Sequence, residues 1–449
     1  MSQTGISRKE FIKNSSFAVA GLFAAPSILN AGQLPTNNEP FLEYEPTSLG
    51  ESFTIKNVRL ETGFQYDGEE IIATNTELFT IVIDKGKILD IRTNDPNTNA
   101  IDAKGLLLLP SFKDMHIHLD KTFYGGSWKA KSAQNRTVKD MIAFEQKMLP
   151  ELLNTSTERA KKLIELLQSK GSNFARSHVN IEPTSGLKSL ENLQKALEDK
   201  KDTFNSQLVA FPQHGVYYTE SASIMRDAAQ AGIDFIGGLD PNAVDGNIKR
   251  TIDFTVDLAL EYKKGIDIHL HEGGQAGIDT IELLCKHVKE NQSLQGNTYL
   301  SHCFVLAQME KNQLESLCEK LAESRIGIVS TIPFGRTIMP IPTLFKYGIE
   351  VLTGNDSIID HWNTFGTGSV LHKANLMAQL YGYYTERGLS RSLGLATGNI
   401  LPLDDKGNRT WPKVNDKADM VLVDASCSAE AVSRIAPVRS LIHNGNIVF

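Results

Sequence analysis

The chain has few cysteines. Cys285, Cys303, Cys318 and Cys427 are all it has in 449 residues, and no two of them form a Cys-x-x-Cys pair. That excludes a zinc knuckle or a dithiol redox motif. A disulfide scaffold is excluded too, because a chain of this length can build its own core. The four thiols read as small buried apolar residues. Excess positive charge is also missing. The formal net charge is −7, which argues against a nucleic-acid partner or an anionic membrane surface. The sequence contains no internal repeat and no low-complexity segment. What remains is ordinary globular composition, 41% hydrophobic and 22% charged. The length suits one large α/β barrel with an accessory domain, or two to three average domains.

The first residues read as an address. Ser7-Arg8-Lys9-Glu10-Phe11-Ile12-Lys13 precedes an apolar, small-residue stretch over residues 17–28. Positive charge followed by a short apolar segment is the signal-peptide pattern. The stretch is short for a membrane span and is interrupted by Pro26. Arg8-Lys9 ahead of x-Phe-Ile-Lys resembles a twin-arginine signal, with Lys9 in place of the second arginine; a Sec-type signal or an uncleaved anchor is the alternative. Cleavage is expected near Ala31, and the mature protein in the periplasm. The absence of a nearby cysteine argues against a lipid anchor.

The expected organisation is an export signal over 1–31, a polar linker over 32–52, a β-sandwich domain built from 53–104 and 412–449, and a barrel over 105–411. Phe79-Thr80-Ile81-Val82-Ile83, Asp84-Lys85-Gly86-Lys87 and Ile88-Leu89-Asp90-Ile91 read as strand, turn and strand. Ser440 to Val448 reads as a second hairpin around Asn444-Gly445. Between them, short apolar strands alternate with amphipathic helices, the signature of βα units. Eight strands are expected, at residues 107–118, 174–180, 208–212, 235–239, 266–272, 298–302, 326–331 and 349–356. Thr157 is the expected N-cap of a helix stopped by Gly171. Eight βα units over about 280 residues fit a (β/α)8 TIM barrel.

Polar residues gather at the C-terminal ends of these strands, where TIM-barrel sites form. His116-Ile117-His118 places two imidazoles on one side of a strand, because side chains alternate. His269 and His271 share one parity on the fifth strand, so by parity alone either could join them. Ser301-His302 ends the sixth strand, and Gly354-Asn355-Asp356-Ser357 ends the eighth. Three imidazoles and a carboxylate can surround one divalent ion and leave a position for water.

With these residues in view, the chain resembles the amidohydrolase superfamily, specifically its cytosine-deaminase-like branch. The resemblance rests on His116-Ile117-His118-Leu119-Asp120-Lys121-Thr122, Val209-Ala210-Phe211-Pro212-Gln213-His214-Gly215, Asp267-Ile268-His269 with Glu272, Ser301-His302, and Gly354-Asn355-Asp356 followed by Asp360-His361-Trp362. It implies that His116, His118, His269 and Asp356 bind one divalent metal ion, Zn or Fe. It favours His269 over His271. It implies that Asp356 takes the proton of the attacking water, that His302 orients that water or stabilises the oxyanion, and that Glu272 shuttles a proton to the ring nitrogen and leaving amine. Gln213 would bind a substrate carbonyl, and Trp362 would line the pocket. No lysine stands at the end of strand 235–239, which favours one metal over two; Asp240-Pro241 there reads as a helix N-cap and N1.

Ser357 is a departure, because cytosine-specific members carry an acid at that position. The expected activity is hydrolysis of a C–N bond in a nitrogen heterocycle, as a deaminase; ring-amide opening, N-alkyl amine removal, or an inactive exported binding protein are the rivals. The partner is a small N-heterocycle, with no nucleic acid, the membrane met only along the export route, and homo-oligomerisation left open. The segment after the first strand, 123–150 with Trp128, Lys129 and Lys131, reads as a lid or as a surface helix-loop. His178, Arg176 and His214 lie near strand ends, where substrate contact and buried hydrogen bonding are both open to them.

Overall fold

The computed structural model describes residues 47–131, 137–335 and 337–449. The expected export signal and most of the expected linker lie outside the described residues. Among the described residues no helix is long and apolar enough to cross a membrane.

Two sheets organise the described chain. The first opens with β1 (Thr47–Ser48), β2 (Ser52–Asp67), β3 (Glu70–Asp84), β4 (Lys87–Thr93), β5 (Ile101–Asp102) and β6 (Leu107–Pro110). It is completed from the other chain end by β15 (Met420–Val423), β16 (Val438–His443) and β17 (Asn446–Ile447). The order is β1-β17-β16-β15-β6-β2-β3-β4, with β5 beside β2. Ile88 of β4 and Ile442 of β16, far apart in that order, belong to one buried core with Val58, Leu108 and Met420. The sheet therefore folds across itself in the manner of a sandwich. Both expected hairpins form. In the second, Asn444 (φ 47°) and Gly445 (φ 78°) take the left-handed conformations that a two-residue hairpin turn needs.

The second sheet is the barrel: β7 (Phe112–Ile117), β8 (Ser172–Asn180), β9 (Asn205–Phe211), β10 (Phe235–Leu239), β11 (Gly265–Leu270), β12 (Thr298–His302), β13 (Ile326–Ser330) and β14 (Val351–Thr353). Each pairs in parallel with the next. Closure comes at a bridge between Ile117 and Asp356. There the Asp356 N–H donates to the His116 carbonyl at 2.7 Å, and the His118 N–H donates to the Asp356 carbonyl at 3.2 Å. The helices pack outside; those used below are α1 (Val138–Leu152), α2 (Ser156–Ser169), α3 (Lys188–Asp199), α4 (Ala222–Gln230) and α5 (Ile248–Tyr262).

Three expectations need correction. Residues 107–118 are two strands in two sheets, not one. Pro110 has no N–H to give a ladder, and Ser111 turns the chain, its N–H bonded to the Asp419 carbonyl. Thr157 lies inside α2, whose N-cap is Thr155; the Thr157 hydroxyl instead donates to the Asn192 carbonyl. Asp240 caps no helix, since α5 starts at Ile248 behind Asn247. The 123–150 segment is in part α1, whose Ile142 packs with Phe211, Leu239 and Val244, so this helix lies over the ends of β9 and β10. All four cysteines are free and buried.

The closing seam tolerates no side chain at Gly354. A Cβ there would sit 2.3 Å from the His116 carbonyl oxygen and 2.5 Å from Asp114 Oδ1. Gly354→Ala is expected to destabilise the protein by about 3 kcal/mol, the upper range for overpacking, read as a lowered denaturant midpoint. An unchanged midpoint would refute this account of the seam.

Candidate metal centre

Four side chains meet at the C-terminal mouth of the barrel. His116 comes from β7, His118 from just past its end, His269 from β11, and Asp356 from just past β14. Their ligand atoms all lie within 4.8 Å of one another. His116 Nε2 and His118 Nε2 approach Asp356 Oδ1 at 3.5 and 3.4 Å. The three imidazoles are buried. Burial pushes the His118 imidazole down to about 4, and burial together with neighbouring imidazoles pushes His269 well below its ordinary range. Burial alone would raise the Asp356 carboxyl, but His302 and the two histidines against it hold it well below the usual carboxylate range. Neutral His118 and His269 beside an ionised Asp356 are the protonation states that metal binding requires.

The surrounding groups fix which nitrogen faces the centre. His116 Nδ1 is 2.8 Å from Ser301 Oγ, and Ser301 donates its own proton to Asp267 Oδ1 at 2.6 Å. Ser301 must therefore accept from His116 Nδ1–H, which leaves Nε2 with a lone pair. Asp267 is in turn anchored by Arg176 at 3.1 Å. His118 Nδ1 donates to the His178 carbonyl at 3.1 Å, with the same consequence. Among the described residues, His116 Nε2 and both His269 ring nitrogens are buried without a hydrogen-bond partner, a costly state for polar atoms unless an ion takes them. The donor set thus fits a divalent metal. Orienting imidazole ligands through their outer nitrogen is a recurrent feature of metal sites.

His302 lies at the end of β12, its ring 4.9 Å from His116 and 5.1 Å from His269, centre to centre. His302 (φ 67°), Asp356 (φ 65°) and Asp240 (φ 37°) all hold left-handed backbone conformations; strain at non-glycine residues concentrates at functional sites. His269, not His271, faces the cluster. His271 bonds through Nδ1 to Asp240 Oδ2 at 2.9 Å and stacks on His302. Asp240 Oδ1 also accepts from the N–H groups of His271 and Glu272. Glu272 turns its carboxylate onto the N–H groups of Asn242 and Ala243, at 3.3 and 2.8 Å. Burial raises its carboxyl despite those bonds.

Of the expected substrate-side residues, Gln213 accepts from the buried Lys121 ammonium, and Trp362 has its ring 5.7 Å from that same nitrogen. Ser357 is buried nearby. Lys121 and its neighbours Glu145, His214 and Glu182 form a buried charge chain whose extent a sequence does not reveal. Lys121 lies 3.8 Å from Glu145, and His214 stands between Glu145 and Glu182 at 3.2 Å from each. Burial would raise Glu145, but Lys121 and His214 hold it at about 2. Arg176 and His214 have buried bonding roles; His178 lies among the imidazoles, 4.1 Å from His116.

A closed eightfold βα barrel with a His-His-His-Asp cluster at its mouth defines a metal-dependent hydrolase scaffold. No protein-family model matches the chain. Over 402 residues it is 49% identical to the uncharacterized protein YahJ of Escherichia coli (strain K12), covering 88% of this chain and 87% of that one. Over 383 residues it is 27% identical to the N-isopropylammelide isopropyl amidohydrolase of Pseudomonas sp. (strain ADP), covering 84% and 95%. The crystal structure of 5-methylcytosine deaminase from Klebsiella pneumoniae with phosphonocytosine superposes with a TM-score of 0.73 at 25% identity, over 88% of this chain and 98% of that one. The chain belongs to the amidohydrolase superfamily, in its cytosine-deaminase-like branch. It is accordingly a hydrolase of C–N bonds other than peptide bonds.

Ser301→Ala removes the acceptor that orients His116. Divalent-metal affinity is expected to fall about 10- to 100-fold, measured by competition with a chromophoric chelator. Unchanged affinity would show that Ser301 does not set the His116 tautomer.

Proposed function

We propose that the protein is a mononuclear metal-dependent deaminase of a nitrogen heterocycle. The observation that carries this reading is the buried His116, His118, His269 and Asp356 cluster with its unpartnered nitrogens. These four residues would hold one Zn or Fe ion. When bound, such an ion lowers the pKa of its water from about 15.7 to about 7, so that hydroxide is available at neutral pH.

The chain's own groups do the rest. Asp356 accepts the proton of the attacking water at its carboxylate. His302, kept neutral by burial and its imidazole neighbours, hydrogen-bonds the water and then the oxygen that gains charge. Glu272, whose carboxyl is raised, carries a proton toward the ring nitrogen and the leaving amine. To do so it must release Asn242 and Ala243 when substrate enters. Gln213 binds a ring carbonyl and Trp362 walls the pocket. Ser357 stands where cytosine-specific members have an acid, which supports a heterocycle other than cytosine.

The Pseudomonas relative, named for removing an isopropyl amine, supports N-alkyl amine removal as the second reading; the Klebsiella deaminase supports ammonia release. Export through a twin-arginine-like signal remains part of the proposal. Cell fractionation should find the protein in the periplasm, and cytoplasmic retention would refute that part.

His116→Ala should abolish both bound metal and turnover on a panel of amino- and alkylamino-substituted pyrimidines, triazines and purines. Product mass spectrometry separates ammonia release, alkylamine release and ring opening. Retention of metal and rate by His116→Ala would sink the proposal.

A further inference from the structure

The buried lysine beside the site has no role in the reaction just described. Lys121 is 3% exposed. Its ammonium lies between Gln213 Oε1, Glu145 Oε1 at 3.8 Å, and the rings of Trp362 and Phe211, whose centres are 5.7 and 5.9 Å away. Phe211 stacks on His269 with ring centres 4.0 Å apart. Lys121 and the cluster therefore share a wall.

An ammonium has donors and no acceptor, whereas an amide side chain has one of each. The group Gln213 turns toward Lys121 must be its oxygen. The group left for a ligand is its NH2. The Trp362 indole N–H, also a donor only, is buried without a partner among the described residues. The Asp360 carboxylate beside Ser357 already accepts from the N–H groups of Trp362 and Asn363, at 2.7 and 2.9 Å. Both of those bonds go to Oδ1, and Oδ2 has no partner among the described residues, so the donors on this side of the pocket are the Gln213 NH2 and the Trp362 N–H. The lysine charge is balanced inside the protein by Glu145, so the ligand needed is an acceptor rather than an anion.

We propose that Lys121 is a positioning residue that locks the Gln213 amide with its NH2 toward the pocket, so that the enzyme selects heterocycles bearing ring carbonyls over those bearing ring amines at that edge. The inference rests on the functional reading above for the identity of the pocket, but it is read from binding ratios and not from turnover. At the Gln213 NH2 an amino-substituted ring sets two donors face to face, and such mismatches cost a large factor in affinity.

The test uses the metal-loaded full chain and two probes of one ring size, uracil and 2,4-diaminopyrimidine, by titration calorimetry at a pH where both are neutral. The wild type is expected to bind uracil at least about tenfold more tightly. Lys121→Met should shrink that ratio to near one with metal content unchanged, and Lys121→Arg should restore part of it. A merely structural lysine would weaken both probes alike. Gln213→Glu keeps an acceptor on Lys121 but offers the pocket no donor, so the preference should invert; this variant decides the matter where Lys121→Met does not fold. Equal or inverted affinities in the wild type, or a ratio that survives in Gln213→Glu, would overturn the proposal. Failure of the functional reading would show instead as absent turnover across all heterocycles while these ratios remain measurable.

Discussion

The pair of backbone hydrogen bonds that joins His116 and His118 to Asp356 is the constraint on which the site depends. It closes the barrel between its first and last strands. It also sets two candidate ligands from the first barrel strand beside a candidate ligand from the last, 240 positions from His116 in sequence. Gly354 lets the two backbones approach, and Asp114 laces them, accepting from the N–H of Asn355 at 3.1 Å and its side chain at 2.7 Å. A loose seam would leave the imidazoles in place but remove the carboxylate that completes the set.

A second constraint runs behind the ligands. Ser301, Asp267 and Arg176 form a buried line that ends on His116. Buried polar chains of this kind are stable only when every member is satisfied. Here each group has a partner except the atoms that face the centre. The Lys121, Glu145, His214 and Glu182 chain is its counterpart on the substrate side. One network sets the tautomer of a candidate ligand, and the other sets the direction of an amide.

Much of the fold was legible because its signals are local. Alternating strands and helices mark βα units, and both hairpin turns carry residues suited to left-handed backbone. Strands 235–239 and 298–302 match the observed β10 and β12 at both ends. The seams were not legible. Leu107 to His118 reads as one strand, and only the partner strands, β15 on one side and β8 on the other, show that it serves two sheets. The metal cluster could be read because His-x-His has strand parity, yet parity could not separate His269 from His271; the Asp240 carboxylate does. Lys121 was overlooked as a site residue because a lysine reads as solvent-exposed by default, and its burial depends on Glu145, which arrives on α1.

The seam has a consequence for biogenesis. Three of the four candidate ligands emerge from the ribosome well before the fourth, and the carboxylate reaches them only when the last barrel strand docks on the first. A nascent chain shorter than about 356 residues holds an incomplete donor set. The complete donor set therefore forms late, and its presence reports completed closure of the barrel.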